Sequence, residues 1–208
     1  MLPTILSQDA DLLVLSKPSE WVVHPAGTEA SSLTGWLISQ SLLGWQPAHR
    51  LDLGTSGVIL FAQKPNLPTV TGWFASGEIS KQYQAMVFGI TRKKGIIRRA
   101  LSDGRRHKSL DATTRYRRLE AFGKKCSLLE VTPETGRKHQ IRRHLQGIGH
   151  AVVGDTRYGP RGRPTVPFFP GRLWLHAAKI TLPDGRSFEA PLPEALQTQL
   201  TKLREKYS

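Results

Sequence analysis

The chain has 208 residues, 38% hydrophobic and 22% charged, with 30 Lys plus Arg against 16 Asp plus Glu and a formal charge of +14. That balance excludes a disordered polar segment, and the length suits one globular domain that buries a core without staples. The single cysteine, Cys126, excludes an internal disulfide and a thiolate metal cluster, so a reducing compartment is the default.

The opening Met1-Leu2-Pro3-Thr4 has no basic region, and Asp9 and Asp11 interrupt the apolar run, unlike a signal peptide. No segment approaches the roughly 20 apolar residues that span a bilayer, so a cytoplasmic protein is expected. Leu12 to Leu15 reads as a strand before Lys17-Pro18, and Trp21-Val22-Val23 as another before His24-Pro25. Ser31 or Ser32 can cap a helix with Leu33, Trp36, Leu37 and Leu43 on one side, ended by Gly44. Gly57 to Ala62 is short and β-rich, a buried strand. A helix from about Pro68 to Ser76 turns Val70, Trp73 and Phe74 inward and stops at Gly77.

Tyr83 to Ile90, Thr113 to Leu119 and Cys126 to Thr132 read as strands joined by basic or glycine turns. From Lys138 the period is helical, with Ile141, Leu145 and Ile148 as one stripe, ended by Gly147 and Gly149. Gly159 to Arg172 is a loop, because ten of its fourteen residues are Gly, Pro or Arg. A strand over Leu173 to Leu182 and a helix from about Pro193, with Leu196, Leu200 and Leu203 on one face, complete the chain. Strands outnumber helices and short turns join most of them. The expected class is α+β: a mixed, largely antiparallel β-sheet with flanking helices, in one domain over 1–208.

The charge is local. Arg92 to Arg118 holds eleven Lys or Arg against Asp103 and Asp111, a net +9, and Arg157, Arg161, Arg163 and Arg172 follow in the late loop. Clustered arginine suits phosphate oxygens and base faces, so the polyanion expected as partner is nucleic acid. An anionic membrane is the rival, but the basic segments read as strands and loops and lack an amphipathic helix.

Two polar blocks carry candidate chemistry. The first, His49-Arg50-Leu51-Asp52-Leu53-Gly54-Thr55-Ser56-Gly57, sets a carboxylate at the rim of a buried strand; a turn in which Asp52 caps an amide is the plainer reading. The second, Thr135-Gly136-Arg137-Lys138-His139-Gln140-Ile141-Arg142-Arg143-His144, starts the predicted third helix and puts Arg137 in its first turn, among free amides. His139 and His144 would stand about 140° apart on that helix, on different faces, which argues against a shared metal.

Together these blocks resemble the RluA family of RNA pseudouridine synthases, whose catalytic motif is similar to His-Arg-Leu-Asp-x-x-Thr-Ser-Gly and whose downstream motif is similar to Thr-Gly-Arg-x-His-Gln-Ile-Arg. Lys17-Pro18 with Val23-His24-Pro25, Lys81-x-Tyr83-x-Ala85, Gly154-Asp155-x-x-Tyr158-Gly159 and Leu175-His176-Ala177 add four further ordered similarities. Glu20 departs from the glycine common in the family's first turn.

The resemblance implies a uridine-to-pseudouridine isomerase that uses one essential Asp, with no metal and no nucleotide or other cofactor. It implies a catalytic set of Asp52, Tyr83 and Arg137: Asp52 as nucleophile or base, Tyr83 stacking on the uracil, and Arg137 as the cation that keeps the carboxylate ionised. It implies substrate or RNA contacts by His49, Arg50, Thr55, Lys81, Lys138, His139, Ile141, Arg142 and Leu145. Among these, Arg50 would fill the gap left by a flipped base. His49 reads better as a loop support than as a general base, and Ile141 and Leu145 as pocket lining or core packing. The expected partner is transfer or ribosomal RNA, with a lean toward the TruC-type transfer RNA enzymes, no separate N-terminal RNA-binding domain, and a monomer. The rivals are an RNA-binding or chaperone protein that keeps the fold without catalysis, and a metal-independent ribonuclease.

Overall fold

The computed structural model describes residues 1–25, 31–103, 108–162 and 165–208, so Arg105, Arg106 and Arg163 of the basic segments lie outside the described residues. The elements run β1 (Thr4–Gln8), β2 (Leu12–Lys17), α1 (Leu33–Ser39), β3 (Trp45–Pro47), β4 (Ser56–Gln63), α2 (Leu67–Ser76), β5 (Ser80–Phe88) and β6 (Lys94–Arg98). They continue through β7 (Leu101–Asp103), β8 (Lys108–Leu110), β9 (Thr113–Phe122), β10 (Cys126–Pro133), α3 (Gln140–Gly147), β11 (Leu175–Thr181), β12 (Ser187–Glu189) and α4 (Glu194–Tyr207). The chain divides into two compact units, Met1–Lys81 with His176–Leu192, and Gln82–Leu175 with Pro193–Ser208.

In the first unit the strand order is β1-β2-β4-β11, with β3 on β4 and β12 on β11. All these pairs are antiparallel except β4 with β11, joined in parallel by Ser56 opposite His176 and Ala177 opposite Gly57. The core gathers Leu12, Val14, Val58, Leu60, Val70 and Ile180, and Trp73 and Phe74 of α2 pack against it. Both faces of β4 are covered, because Ile59 and Phe61 are as buried as Val58 and Leu60, which is why this strand reads as a continuous apolar run. Gly57 has φ +119°, and a Cβ there would stand 2.1 Å from the Ala177 carbonyl oxygen, so only glycine admits this approach of β4 to β11.

The second unit orders its main strands β5-β10-β9-β6, all antiparallel, and β7 pairs β8 as a separate ribbon. Its core holds Ala85, Val87, Tyr116, Leu129 and Val131 of the sheet with Ile141 and Leu145 of α3. Leu196, Leu200 and Leu203 bury one face of α4. The class is α+β, as expected.

Several boundaries differ from the sequence reading. Ser32 does cap α1, accepting the Gly35 amide, but the helix ends at Ser39 because Ser41 turns left-handed at φ +59°; Leu43 is then 68% exposed, off the helix. Trp21 to Val23 is no strand: Val22 makes one isolated bridge, to Ser32. The third helix starts at Gln140, not near Thr135, and His139 precedes it at φ +54°; Arg137 is therefore in the approach loop and not in a first helical turn. Ile148, just past that helix, is 39% exposed and leaves the apolar stripe. The strands β1, β3, β6, β7, β8 and β12 have no counterpart in the sequence reading.

Candidate functional site

In the first unit the block His49–Thr55 is the loop between β3 and β4. Leu51, 6% exposed, anchors it in the core, and the Thr55 amide closes a tight turn on the Asp52 carbonyl oxygen at 3.0 Å. The next carbonyl, of Leu53, accepts from the Glu20 amide at 2.9 Å and from Lys17 Nζ at 3.2 Å. Lys17 is fully buried at the end of β2, and its ammonium also donates to the carbonyls of Pro18 and Trp21 at 2.9 and 2.8 Å. A buried charge needs such a set of acceptors, and this one ties the first turn to the loop that carries Asp52. Asp52 is half-buried and Arg50 exposed on the same loop.

Glu20 sits at φ +66°, which explains why glycine suits this place: the turn is kept here at a cost in backbone strain. Sequence reasoning gave Lys17 no role of its own; the signal was a lysine ending an otherwise apolar strand.

Behind the loop, Ser56 Oγ lies 2.9 Å from His176 Nδ1, and His176 Nε2 lies 3.1 Å from the Ala190 carbonyl oxygen. A carbonyl only accepts, so Nε2 donates to Ala190. His49 Nε2 accepts the Leu60 amide at 3.0 Å, and its ring lies 4.4 Å from that of Phe74, over which Lys81 Nζ also stands at 5.9 Å. Desolvation, and then the Lys81 charge, push the His49 imidazole down to about 3, so it is neutral and locked as an acceptor. Burial likewise holds Lys81 below the ordinary lysine range.

A stability consequence follows for His49. Above its unfolded value near 6.5 both states are neutral; below it the unfolded chain takes a proton that the folded chain refuses until about pH 3. Stability is therefore lost as pH falls through that window, at up to about 1.4 kcal/mol per pH unit from this group. Urea unfolding midpoints measured from pH 7 to 5 are expected to fall, and His49→Gln to flatten the dependence by close to one proton.

In the second unit Tyr83 lies on β5 opposite Val131 of β10, half-buried against the cluster that contains Ile141 and Leu145. The approach loop to α3 is organised by Gln140, which is 4% exposed. Its Oε1 accepts the Arg137 amide at 3.0 Å and the Thr135 hydroxyl at 2.6 Å, while its Nε2 donates to the Thr113 carbonyl and Thr114 Oγ1 at 2.9 and 3.0 Å. Arg137 is thereby held by its backbone and presents an exposed guanidinium, whose Nε donates to the Asp111 carbonyl at 3.1 Å. Lys138 beside it is exposed.

His139 Nδ1 meets the Tyr158 hydroxyl at 2.9 Å. Arg142 faces Asp155 in a two-pronged pair at 2.7 and 2.8 Å, with side chains 11% and 0% exposed. Asp155 also accepts the amides of Arg157 and Tyr158, each at 2.9 Å. Burial opposes the charge on Asp155, but the Arg142 hydrogen bond and then the Tyr158 amide outweigh it and hold the carboxyl below its usual range. His144 is fully buried between Thr114 Oγ1 and the Arg99 carbonyl at 2.8 and 2.9 Å.

The structure thus gathers His49, Arg50, Asp52, Thr55 and Lys81 in the first unit, and Tyr83, Arg137, Lys138, His139, Ile141, Arg142 and Leu145 in the second. Ile141 and Leu145 pack the core, at 6% and 0% exposure.

The sequence pattern of the RNA pseudouridylate synthase family matches residues 11–147. The chain is similar to tRNA pseudouridine synthase C of Pectobacterium carotovorum, with 34% identity over 86% of this chain and 54% of that protein, so it spans about half of that relative's length. It is similar to ribosomal large subunit pseudouridine synthase C of Vibrio cholerae, with 32% identity over 97% of this chain and 69% of the relative. Among solved structures, human RNA pseudouridylate synthase domain containing 4 superposes with a TM-score of 0.82 at 26% identity, covering 96% of this chain and 92% of that one.

Proposed function

The chain belongs to the RNA pseudouridylate synthase family, and we propose that residues 1–208 act in the cytoplasm as one monomeric catalytic domain that isomerises uridine in transfer RNA, ribosomal RNA or both, with Asp52 as its essential carboxylate. The reaction breaks the C1′–N1 bond of a flipped uridine, turns the uracil and rejoins C5 to C1′; the proton lost from C5 is balanced by one gained at N1. No other reactant is consumed.

The observation that supports Asp52 is the construction of its loop. The backbone that follows its Cα is fixed, by the Thr55 amide on the Asp52 carbonyl and by Lys17 and Glu20 on the Leu53 carbonyl. A residue whose backbone is braced by its neighbours suits a reacting group, because catalysis needs the carboxylate's position fixed. Tyr83 and Arg137 complete the proposed catalytic set, as the uracil-stacking aromatic and as the cation that favours ionised carboxylate. The exposed guanidinium of Arg50 is the group proposed to occupy the gap left by the extruded base. The names of the two bacterial relatives support both RNA classes, and the resemblance of the Gly136–Leu145 run leans toward transfer RNA.

The test is tritium release from cellular RNA labelled at uridine C5, with pseudouridine mapped in RNA from cells with and without the gene. Release that depends on the protein, and sites lost with the gene, are expected. Intact RNA without release from any fraction would overturn the reading.

A further inference from the structure

Phe168 sits in the late loop of the second unit, 47% exposed, with a left-handed backbone at φ +59°. That conformation is costly for a bulky L-residue, and such strain persists only where the surroundings enforce it. Here the enforcement is visible. Gln199 of α4, 1% exposed, donates from Nε2 to the Pro167 carbonyl at 2.8 Å and accepts at Oε1 from Nε1 of the fully buried Trp174 at 2.9 Å. The residue before Phe168 is thus pinned to the core while the ring is turned to solvent.

Two cations stand over that ring. Lys202 and Lys206, one helical turn apart on α4, each place Nζ 5.8 Å from its centroid. The neighbouring Arg204 is engaged by Glu120 at 2.9 and 2.6 Å, whereas neither lysine has an ion-pair partner among the described residues. A half-exposed aromatic ring held in strained backbone, with two ammonium groups over it that form no ion pair among the described residues, offers one strand of RNA both an aromatic surface for a base and cations for its phosphates.

We propose that Phe168 is a stacking platform for an unpaired nucleobase, with Lys202 and Lys206 on the flanking phosphates. The proposal rests on the reading of this protein as an RNA enzyme, and adds a contact to RNA apart from the Asp52 loop. Stacking is tolerant of base identity, so the platform adds grip and register without reading sequence.

The full chain is titrated with a short labelled oligouridylate and with an abasic oligomer of the same length. The wild type is expected to favour the base-bearing strand. Phe168→Ala and Phe168→Leu should each weaken that binding about tenfold and leave the abasic strand unaffected, with Phe168→Trp retaining it. Phe168→Gly, which relieves the backbone, should show the same loss with an unfolding midpoint no lower than the wild type, so that weakened binding is not misread as misfolding. Lys202→Gln and Lys206→Gln should lower binding of both strands and reduce the slope against salt by about 0.7 each. Equal binding of both strands by the wild type, or Phe168→Leu binding as the wild type does, would overturn the platform. Tritium release separates the two readings: turnover with Phe168-independent binding defeats the platform alone, and Phe168-dependent binding without turnover defeats the reaction alone.

Discussion

Asp52→Asn is expected to abolish pseudouridine formation while leaving RNA affinity within about twofold of the wild type. The substitution keeps shape and removes only the negative charge, so either role of the carboxylate, attack on the ribose or removal of a proton, is lost. A loss of at least about 10³-fold in turnover is the magnitude such groups command. The turn closes through the Asp52 backbone carbonyl and the loop is held through that of Leu53, and the variant keeps both. Affinity should survive because the cationic excess lies elsewhere, in Arg92 to Arg118 with its net +9. Single-turnover tritium release beside filter binding measures both. Ordinary turnover by the variant would remove Asp52 from the chemistry.

Asp155→Ala is expected to cost about 3–5 kcal/mol, a large part of the stability of an ordinary domain. The carboxylate is fully buried, and its loss would take from the Arg142 guanidinium, 11% exposed, the two-pronged ion pair it makes there. It would also strand the amides of Arg157 and Tyr158, each about 1–3 kcal/mol if left unsatisfied. Arg142→Met with Asp155→Leu should recover part of the loss, since a buried pair replaced by apolar groups is often neutral, but not all of it, because the two amides stay orphaned. Equilibrium unfolding in urea reads the difference. The loop that Asp155 holds carries Tyr158, the partner of His139, so the single variant should also loosen the segment just before α3. A loss below about 1 kcal/mol would mean that water reaches the pair and that Asp155 is no anchor.

The candidate site was legible in the sequence to the extent that its chemistry is carried by ordered polar blocks. Asp52 and Arg137 stand out because a carboxylate and a guanidinium sit in short polar runs beside apolar ones, and the blocks resemble one family. What the chain alone could not convey was the bracing. Lys17 and Leu53 are 36 residues apart, and nothing local says that the first supplies a hydrogen bond to the second. Gln140 read as one more polar helix residue, yet its four hydrogen bonds delay the helix to its own position and set the Arg137 loop. Arg142 read as one more basic contact, yet it faces Asp155 in the interior.

The same division holds for the fold. Elements whose burial pattern is written in their own residues were apparent: β2 and β4 as apolar runs, α2 with its glycine stop, α4 with its leucine stripe. By itself the sequence determined the class, the order of the main elements, the excess of positive charge and the residue types available for the chemistry, because each of these depends on neighbours along the chain. Only the tertiary structure decided the short strands β1, β3, β6, β7, β8 and β12, which owe their conformation to hydrogen bonds from partner strands. It alone decided the ends of α1 and α3, where left-handed residues interrupt the period, and which charges are buried and braced. Those outcomes depend on desolvation and on partners distant in sequence, quantities that no local pattern carries.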